Sequence, residues 1–307
     1  MGRLLIKAAA CSDIGLSRTN NEDNYYLDGA YIKAEDDSQT SCAFISPQQN
    51  GVFAVFDGMG GQSRGEFASL CAAQTLQKFQ SEILSEGTKK VNEYIKTAND
   101  TICTEMSKTN EIIGSTMVLL TINNNEAQVY NLGDSRAYYV TKGRIYQLSR
   151  DHTVAEQLYQ LKMLTKEQAN KDIRKNNLTK HLGVFQNEID LRAFASGNIK
   201  MKSGDTFLLC SDGVTSVMTD KDLRTLIVNS GDKCKKLAGQ IVELAIRSGS
   251  KDNVTAIVVK AAHTFNSKQK RRKWGKHPRL YPFLLGVGIS VLAFSIVVSF
   301  ILYHFMK

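Results

Sequence analysis

Short apolar runs, typical of strands buried on both faces, alternate along this chain with helix-like segments. Runs of four to eight apolar residues bounded by turn residues favour buried strands over helices. The strongest runs are Val52–Phe56, Ala127–Leu132, Thr206–Cys210 and Val254–Val259. Between them, Glu66–Phe79 has the pattern of a helix, and Thr165 stands three residues before Gln168, the spacing of a helix-capping pair. The pattern therefore predicts a core of β-strands with helices between them.

Acidic residues stand at the ends of these strand-like runs. One aspartate in such a place is more often a turn residue than a ligand, but here there are five separate acidic sites. They are Glu22-Asp23, Asp57, Asp134, Asp212 and Asp252. Gathering several carboxylates is unfavourable unless cations neutralise them, and carboxylate oxygens suit hard ions such as Mg²⁺ or Mn²⁺. The sequence thus predicts a divalent-metal site built at strand ends.

The composition allows one large domain or two small ones, since the chain has 307 residues with 42% hydrophobic and 22% charged. The net charge of +9 suggests nucleic-acid binding at first sight. Eight of the 39 basic residues, however, follow position 267 without any acidic residue, so positions 1–267 hold 31 basic and 30 acidic residues. The basicity belongs to a short C-terminal segment, and a nucleic-acid partner is not expected.

That basic segment precedes 24 uncharged residues, Leu280–Tyr303. A helix of this length spans roughly 36 Å, enough to cross a bilayer core. The positive-inside rule places the basic side in the cytoplasm. We therefore expect a single-pass protein, most simply of a bacterial inner membrane. It would consist of a cytoplasmic domain at 1–265, a linker at 266–279, a transmembrane helix at 280–303 and a tail at 304–307.

Cysteine and histidine spacings argue against two other chemistries. None of the six cysteines is followed by arginine six positions later, which excludes the spacing of cysteine-dependent phosphatases, and no pair has C-x-x-C spacing. We expect them to be reduced and mostly buried. The five histidines form no pair at zinc-ligand spacing.

Eight motifs, in order over residues 10–260, resemble those of the metal-dependent protein phosphatase family, type 2C, in its bacterial form. No single motif is decisive, but eight in sequence are far from chance. They are Gly15–Asp23, Phe56–Gly61, Gly114–Thr116, Asn131–Tyr138, Asp151–Thr153, Leu178–Gly183, Leu209–Gly213 and Asp252–Thr255.

The resemblance implies an α+β fold, a four-layer sandwich of two mainly antiparallel β-sheets flanked by α-helices. It also implies two Mn²⁺ or Mg²⁺ ions and a third, weaker one. Asp57 would bridge the two ions with help from the Gly58 carbonyl, and Asp212 and Asp252 would complete one of them. Asp23 and Glu22 would hold the other ion, and Asp134 with Asp212 the third. Arg18 would clasp the substrate phosphate.

The activity implied is hydrolysis of phosphoserine and phosphothreonine in proteins by a hydroxide that bridges the metals, without a covalent intermediate. A kinase and its targets would be the partners. Many eukaryotic members carry histidine directly after the Asp-Gly pair as a candidate general acid, whereas this chain has Met59. The group that protonates the leaving oxygen is therefore unassigned.

Two other functions are weighed. Gly61–Gly65 matches the G-x-S-x-G pattern of a serine hydrolase with Ser63 as nucleophile. However, four residues separate the predicted strand, which ends at Phe56, from Gly61, and no HGGG-type segment precedes it, so a glycine-rich loop is the simpler interpretation. A catalytically inactive phosphoprotein-binding module on the membrane would be expected to lack a metal carboxylate, and none is missing.

Overall fold

The computed structural model describes residues 4–36, 38–60, 64–185 and 191–263. Thirteen strands are formed within these ranges. They are β1 (Leu4–Asp13), β2 (Asp23–Leu27), β3 (Thr40–Gln48), β4 (Gly51–Gly60), β5 (Ile113–Ser115), β6 (Met117–Asn123), β7 (Glu126–Leu132), β8 (Arg136–Thr141), β9 (Arg144–Gln147), β10 (Phe194–Ala195), β11 (Ile199–Lys200), β12 (Thr206–Cys210) and β13 (Val254–His263). Each strand-like run recognised in the sequence lies within one of them.

Seven helices connect or flank these strands in the described part. They are α1 (Gly65–Glu86), α2 (Thr88–Thr109), α3 (Val154–Gln160), α4 (Lys166–Lys171), α5 (Asp212–Thr215), α6 (Asp220–Asn229) and α7 (Cys234–Arg247). The start of α4 has the predicted capping box, in which the Thr165 and Gln168 side chains each bond the other's backbone N–H.

Two antiparallel sheets form the centre of the fold. The first has the order β3-β1-β13-β12-β8-β9, and the second has the order β10-β7-β6-β4-β2, with β11 added beside β7 and β5 beside β4. All neighbouring strands run antiparallel. Because side chains alternate between the faces of a strand, each sheet has one face for its partner sheet and one for helices.

Three apolar clusters fill the spaces between layers. The first lies between the sheets and contains Phe53 and Val55 of β4 with Phe207 and Leu209 of β12. A second joins the other face of β4 to α1 and α2, and a third joins the outer face of the first sheet to α6 and α7. The order helix, sheet, sheet, helix confirms the predicted flanked sandwich.

The membrane prediction is not supported. Across the described ranges, no helix combines the length and the apolar character needed to cross a bilayer. α1 and α2 have 22 residues each, but both expose charged side chains along one face and bury only the other. The segment expected to span, 280–303, lies outside the described residues. The predicted localisation as a single-pass membrane protein is therefore corrected.

The expectation of reduced cysteines is wrong for one pair. Cys11 on β1 lies directly opposite Cys42 on β3, and the two form a disulfide. Sequence spacing could not show this, because antiparallel pairing brings together residues that are 31 positions apart. Of the four free cysteines, Cys71, Cys210 and Cys234 are buried and Cys103 is half-buried.

Asn99 of α2 fixes the segment that follows β9 and the two short helices after it. Its side-chain oxygen accepts the backbone N–H groups of Gly183 and Val184 at 2.8 and 3.0 Å, and its amide donates to the Val184 carbonyl at 3.0 Å. The side chain is buried. One residue therefore satisfies three backbone groups that would otherwise be buried without partners.

We expect Asn99→Ala to lower the free energy of unfolding by about 2–3 kcal/mol, because it leaves these backbone groups unpaired in the interior. Urea denaturation followed by circular dichroism measures this. Thr97→Ala, an exposed change on the same helix, should alter stability by less than about 0.5 kcal/mol. Equal stability of the two variants would contradict the role given to Asn99.

Candidate active site

Asp57 and Asp23 lie side by side where β4 and β2 meet. The strand register pairs Asp23 directly with Asp57, so both side chains project from the same face of the sheet. That is the face on which Phe53 and Val55 pack between the sheets. Asp23 is buried, and its carboxylate accepts a hydrogen bond from the Ser211 hydroxyl at 2.7 Å. The second sheet thus brings two carboxylates to the gap between the sheets.

The first sheet contributes Asp212 and Asp252 to the same place. Asp212 is the first residue of α5, separated from β12 by Ser211, and it shares a side-chain hydrogen bond with Asp57. Asp252 precedes β13 and pairs with Arg18, whose Nη2 lies 2.8 Å from its Oδ2. Because β12 and β13 are adjacent and antiparallel, the end of β12 and the start of β13 lie at the same edge of the sheet.

Asp134 completes the carboxylate group from the turn between β7 and β8. Gly133 makes that turn with φ of +97°, a conformation that favours glycine. Asp134 and Asp212 also line a cavity of about 480 Å³ beside the site, together with Arg136 and residues of the segment that holds α3 and α4. The segment that holds α3 and α4 therefore forms one wall of this cavity.

A backbone hydrogen bond links Gly58 to Glu22, and the Glu22 side chain in turn contacts the start of α1. Gly58 N–H donates to the Glu22 carbonyl at 3.1 Å, and the Glu22 carboxylate accepts the Gly65 N–H at the start of α1 at 3.2 Å. A Cβ on Gly58 would lie 2.2 Å from the Gly65 carbonyl oxygen. Only glycine allows this approach, which brings the start of α1 against the end of β4.

Burial and mutual repulsion raise the pKa values of these aspartates. Burial raises the pKa of Asp57 well above its usual range, and the charges of Asp23 and Asp212 raise it further. Burial likewise raises the pKa of Asp23 and of Asp134 to about 7 and that of Asp212 to about 6. At neutral pH, several carboxylates cannot all be ionised here unless positive charge compensates them.

These residues fit the divalent ions that the sequence predicts. The donors are all oxygens, and Asp57 interacts electrostatically with Asp23, Asp134, Asp212 and Asp252. As the side chains stand in the described ranges, no three of them surround one point closely enough to coordinate an ion. Like charges repel, so such a group draws together only around a cation.

Arg18 lies at the edge of the site with its side chain 46% exposed. Its ion pair with Asp252 orients the guanidinium, and the charges of Glu22 and Asp57 also act on it. The structure thus brings together all eight residues named from the sequence: Arg18, Glu22, Asp23, Asp57, Gly58, Asp134, Asp212 and Asp252. Ser63, the hydrolase alternative, lies outside the described residues.

Two positioning residues were not assigned from the sequence. Asn253 accepts the Glu22 N–H and donates to the carbonyls of Ile14 and Asn20, and so it holds the loop that bears Arg18. Ser211 donates to Asp23 and accepts the Thr255 N–H. Each stands directly beside a predicted ligand, Asn253 after Asp252 and Ser211 before Asp212. Their position next to predicted metal ligands was the signal by which the sequence could have identified them.

The family model for protein phosphatase 2C matches residues 31–240. This chain belongs to that family.

Relatives of known structure and name agree with this assignment. The serine/threonine protein phosphatase PstP of Mycobacterium tuberculosis is 28% identical over 258 residues, with 83% of this chain and 45% of PstP covered. Protein phosphatase PhpP of Streptococcus pneumoniae is 28% identical, with 81% and 94% covered. The crystal structure of the PstP catalytic domain with two manganese ions superposes with a TM-score of 0.66 at 25% identity, covering 84% of this chain and 99% of that one. This chain spans about half the length of full PstP.

The raised aspartate pKa values predict how stability depends on pH. A carboxyl group whose folded-state pKa is raised stabilises the fold below its unfolded pKa, and this stability is lost as pH rises through the folded value. For chelated protein, we expect the free energy of unfolding to fall by about 1–2 kcal/mol between pH 6 and 8, the window set by Asp23 and Asp134.

Urea titrations at several pH values measure this dependence. Mn²⁺ should remove most of the fall, since it compensates the ionised carboxylates, and Asp23→Asn should reduce it in chelator. Asp232→Asn, at an exposed surface ion pair with Lys7, is the matched control. A stability that rises from pH 6 to 8 in chelator, in parent and control alike, would contradict the assignment.

Proposed function

We propose that this protein is a serine/threonine protein phosphatase that uses two divalent ions, Mn²⁺ or Mg²⁺. One observation carries the proposal: buried carboxylates from both sheets converge on Asp57, with Arg18 at their edge. When bound, such ions supply an acidified water for phosphate-ester hydrolysis and offset charge on the phosphoryl oxygens. Family membership and the manganese-bound PstP structure support the same conclusion.

The aspartates would act as an ordered set of ligands. Asp57 would bridge the two ions because it interacts with the other four aspartates, with the Gly58 carbonyl beside it. Asp212 and Asp252 would complete one ion, and Asp23 with Glu22 the other. Asp134 and Asp212 would hold a third, weaker ion. Their anchoring by strand register, by Ser211 and by the start of α1 keeps the oxygens in place while substrate binds.

Arg18 would bind the phosphate of the substrate. A guanidinium presents paired N–H donors that match phosphate oxygens, and this one is held on an exposed loop by Asn253. Phosphate approaching would compete with Asp252 for the guanidinium. The substrates would be proteins phosphorylated on serine or threonine, and a kinase with its targets would be the partners.

We expect hydrolysis of a phosphothreonine peptide with Mn²⁺ and its loss in chelator. Asp57→Asn should reduce the rate by more than about 10²-fold, since losing even an outer neighbour of a metal ligand costs 10- to 100-fold. Phosphate release measures this, and manganese binding by calorimetry should weaken in parallel. The control Asp232→Asn should behave as the parent protein. Unchanged turnover in chelator would exclude the metal-dependent reaction.

Ser63→Ala in the same assay separates the serine hydrolase alternative. The phosphatase should retain its rate in this variant. Labelling by a fluorophosphonate that persists in chelator and disappears in Ser63→Ala would favour the hydrolase instead.

We expect Arg18→Ala to raise KM for phosphopeptide by about 10- to 100-fold, the effect of one charged hydrogen bond. Manganese affinity should change much less, because Arg18 contacts only one ligand, Asp252. Arg18→Lys should recover part of the loss, and the surface variant Arg247→Ala should show none. Equal losses in substrate and manganese binding would contradict a phosphate-binding role.

A further inference from the structure

His181 lies beside the strand pair that carries the proposed metal ligands. Gly58 is opposite Ser115, and Met59 is opposite Gly114, in the pairing of β4 with β5. Leu182 continues this array, since it exchanges backbone hydrogen bonds with Ser115 at 2.8 and 3.1 Å. With strands about 4.8 Å apart, the Leu182 backbone is two strand spacings, about 10 Å, from Gly58.

The His181 ring folds back over Gly114 towards β4. A methyl group on Gly114 would lie 2.9 Å from His181 Nδ1 and 2.8 Å from Met59 Cε. The ring and the Met59 side chain therefore share the space above Gly114, and the missing side chain at position 114 makes that space available.

The His181 ring lies on the same face of the β4–β5 pair as Asp57. Asp57 and Met59 are two residues apart on β4, so they project from the same face about 7 Å apart. Gly114, directly opposite Met59, shares this face. The imidazole therefore lies over the same face of the β4–β5 pair as Asp57.

One ring nitrogen is fixed and the other can exchange a proton. Nδ1 lies 2.8 Å from the Leu182 carbonyl oxygen, and because a carbonyl can only accept, Nδ1 carries a hydrogen. Nε2 is then the atom that gains and loses a proton. Burial lowers the pKa of His181, whereas an approaching phosphate dianion favours the protonated ring.

His152, which lies in the same described range 64–185, is not placed for this task. His152 is buried, and its Nδ1 accepts the Gly133 N–H at 3.1 Å. Burial lowers the pKa of His152 to about 4, so it stays neutral at physiological pH and serves the turn before Asp134.

We propose that His181 is a catalytic residue that protonates the seryl or threonyl oxygen as it leaves phosphorus. A water oxygen forms the new bond to phosphorus and releases its proton to solvent. The bond from phosphorus to the side-chain oxygen breaks with its electron pair on that oxygen, which takes the proton from Nε2. Solvent then reprotonates His181. This inference rests on the proposed phosphatase function, and it fills the role left open by Met59.

We test the proposal in the full chain with Mn²⁺ by comparing how the rate depends on the leaving group. A threonyl oxygen is a poor leaving group that needs a proton, whereas p-nitrophenolate leaves without one. His181→Ala should lower kcat on a phosphothreonine peptide by about 10²-fold, the usual effect of a general acid. Its kcat on p-nitrophenyl phosphate should change by less than about 3-fold, and manganese affinity should remain that of the parent.

Two further variants separate proton transfer from a structural role. His181→Gln keeps a donor for the Leu182 carbonyl but cannot transfer a proton, so it should be as slow as His181→Ala on the peptide. Met59→His in the His181→Ala background puts an imidazole into the same space and should restore at least about 10-fold of the lost rate.

The outcomes are distinct. Equal losses on both substrates, or full activity of His181→Gln on the peptide, would show a structural role and overturn the proposal. Peptide turnover by His181→Ala at the parent rate would overturn it as well. If the parent protein hydrolyses neither substrate, the phosphatase function itself fails, and the role of His181 with it.

Discussion

Repulsion between buried carboxylates is the constraint on which this structure depends. Asp23, Asp57, Asp134 and Asp212 are buried deeply enough that burial alone raises their pKa values, and their proximity raises them further. A fold that holds such a group must supply strong restraints from elsewhere. The two sheets do so, since each aspartate lies within or next to a strand that contributes apolar residues to the cluster between the sheets.

Around the site, close backbone contacts and hydrogen bonds hold the carboxylates in place. Gly58 and Gly65 are in contact because neither has a Cβ, and the Glu22 carboxylate takes the N–H that begins α1. Asn253 and Ser211 each bond two or more neighbouring segments across the site. Such bonds resist movement of the carboxylates, and loss of any one would leave a polar group unpaired in the interior.

Local patterns were enough to predict the strands, the acidic residues at their ends and the capping box of α4, whereas the sandwich and the roles of the site residues came from the resemblance to the phosphatase family. Strand-like runs, the carboxylates that end them, and Thr165 with Gln168 are all visible within a few residues. Features that depend on cross-strand register were not predictable. Cys11 and Cys42 meet only through the pairing of β1 with β3, and His181 lies beside Gly114 because Leu182 pairs with Ser115 of β5. The membrane prediction is corrected on another ground: it rested on the stretch 280–303, which lies outside the described residues, and no helix within the described ranges could cross a bilayer.

The metal ligands and the proton donor face different physical demands, and their positions reflect this. A ligand must be held against repulsion, so it belongs on a strand end with backbone restraints on both sides. A proton donor must approach a leaving group and exchange with solvent, so a side chain anchored by one ring nitrogen and free to titrate at the other is sufficient. Positions 59 and 181 both border the space above Gly114 and could each present such a ring to it. The carboxylates are therefore tied to their places in the fold, while the residue that supplies the proton can change position without disturbing them.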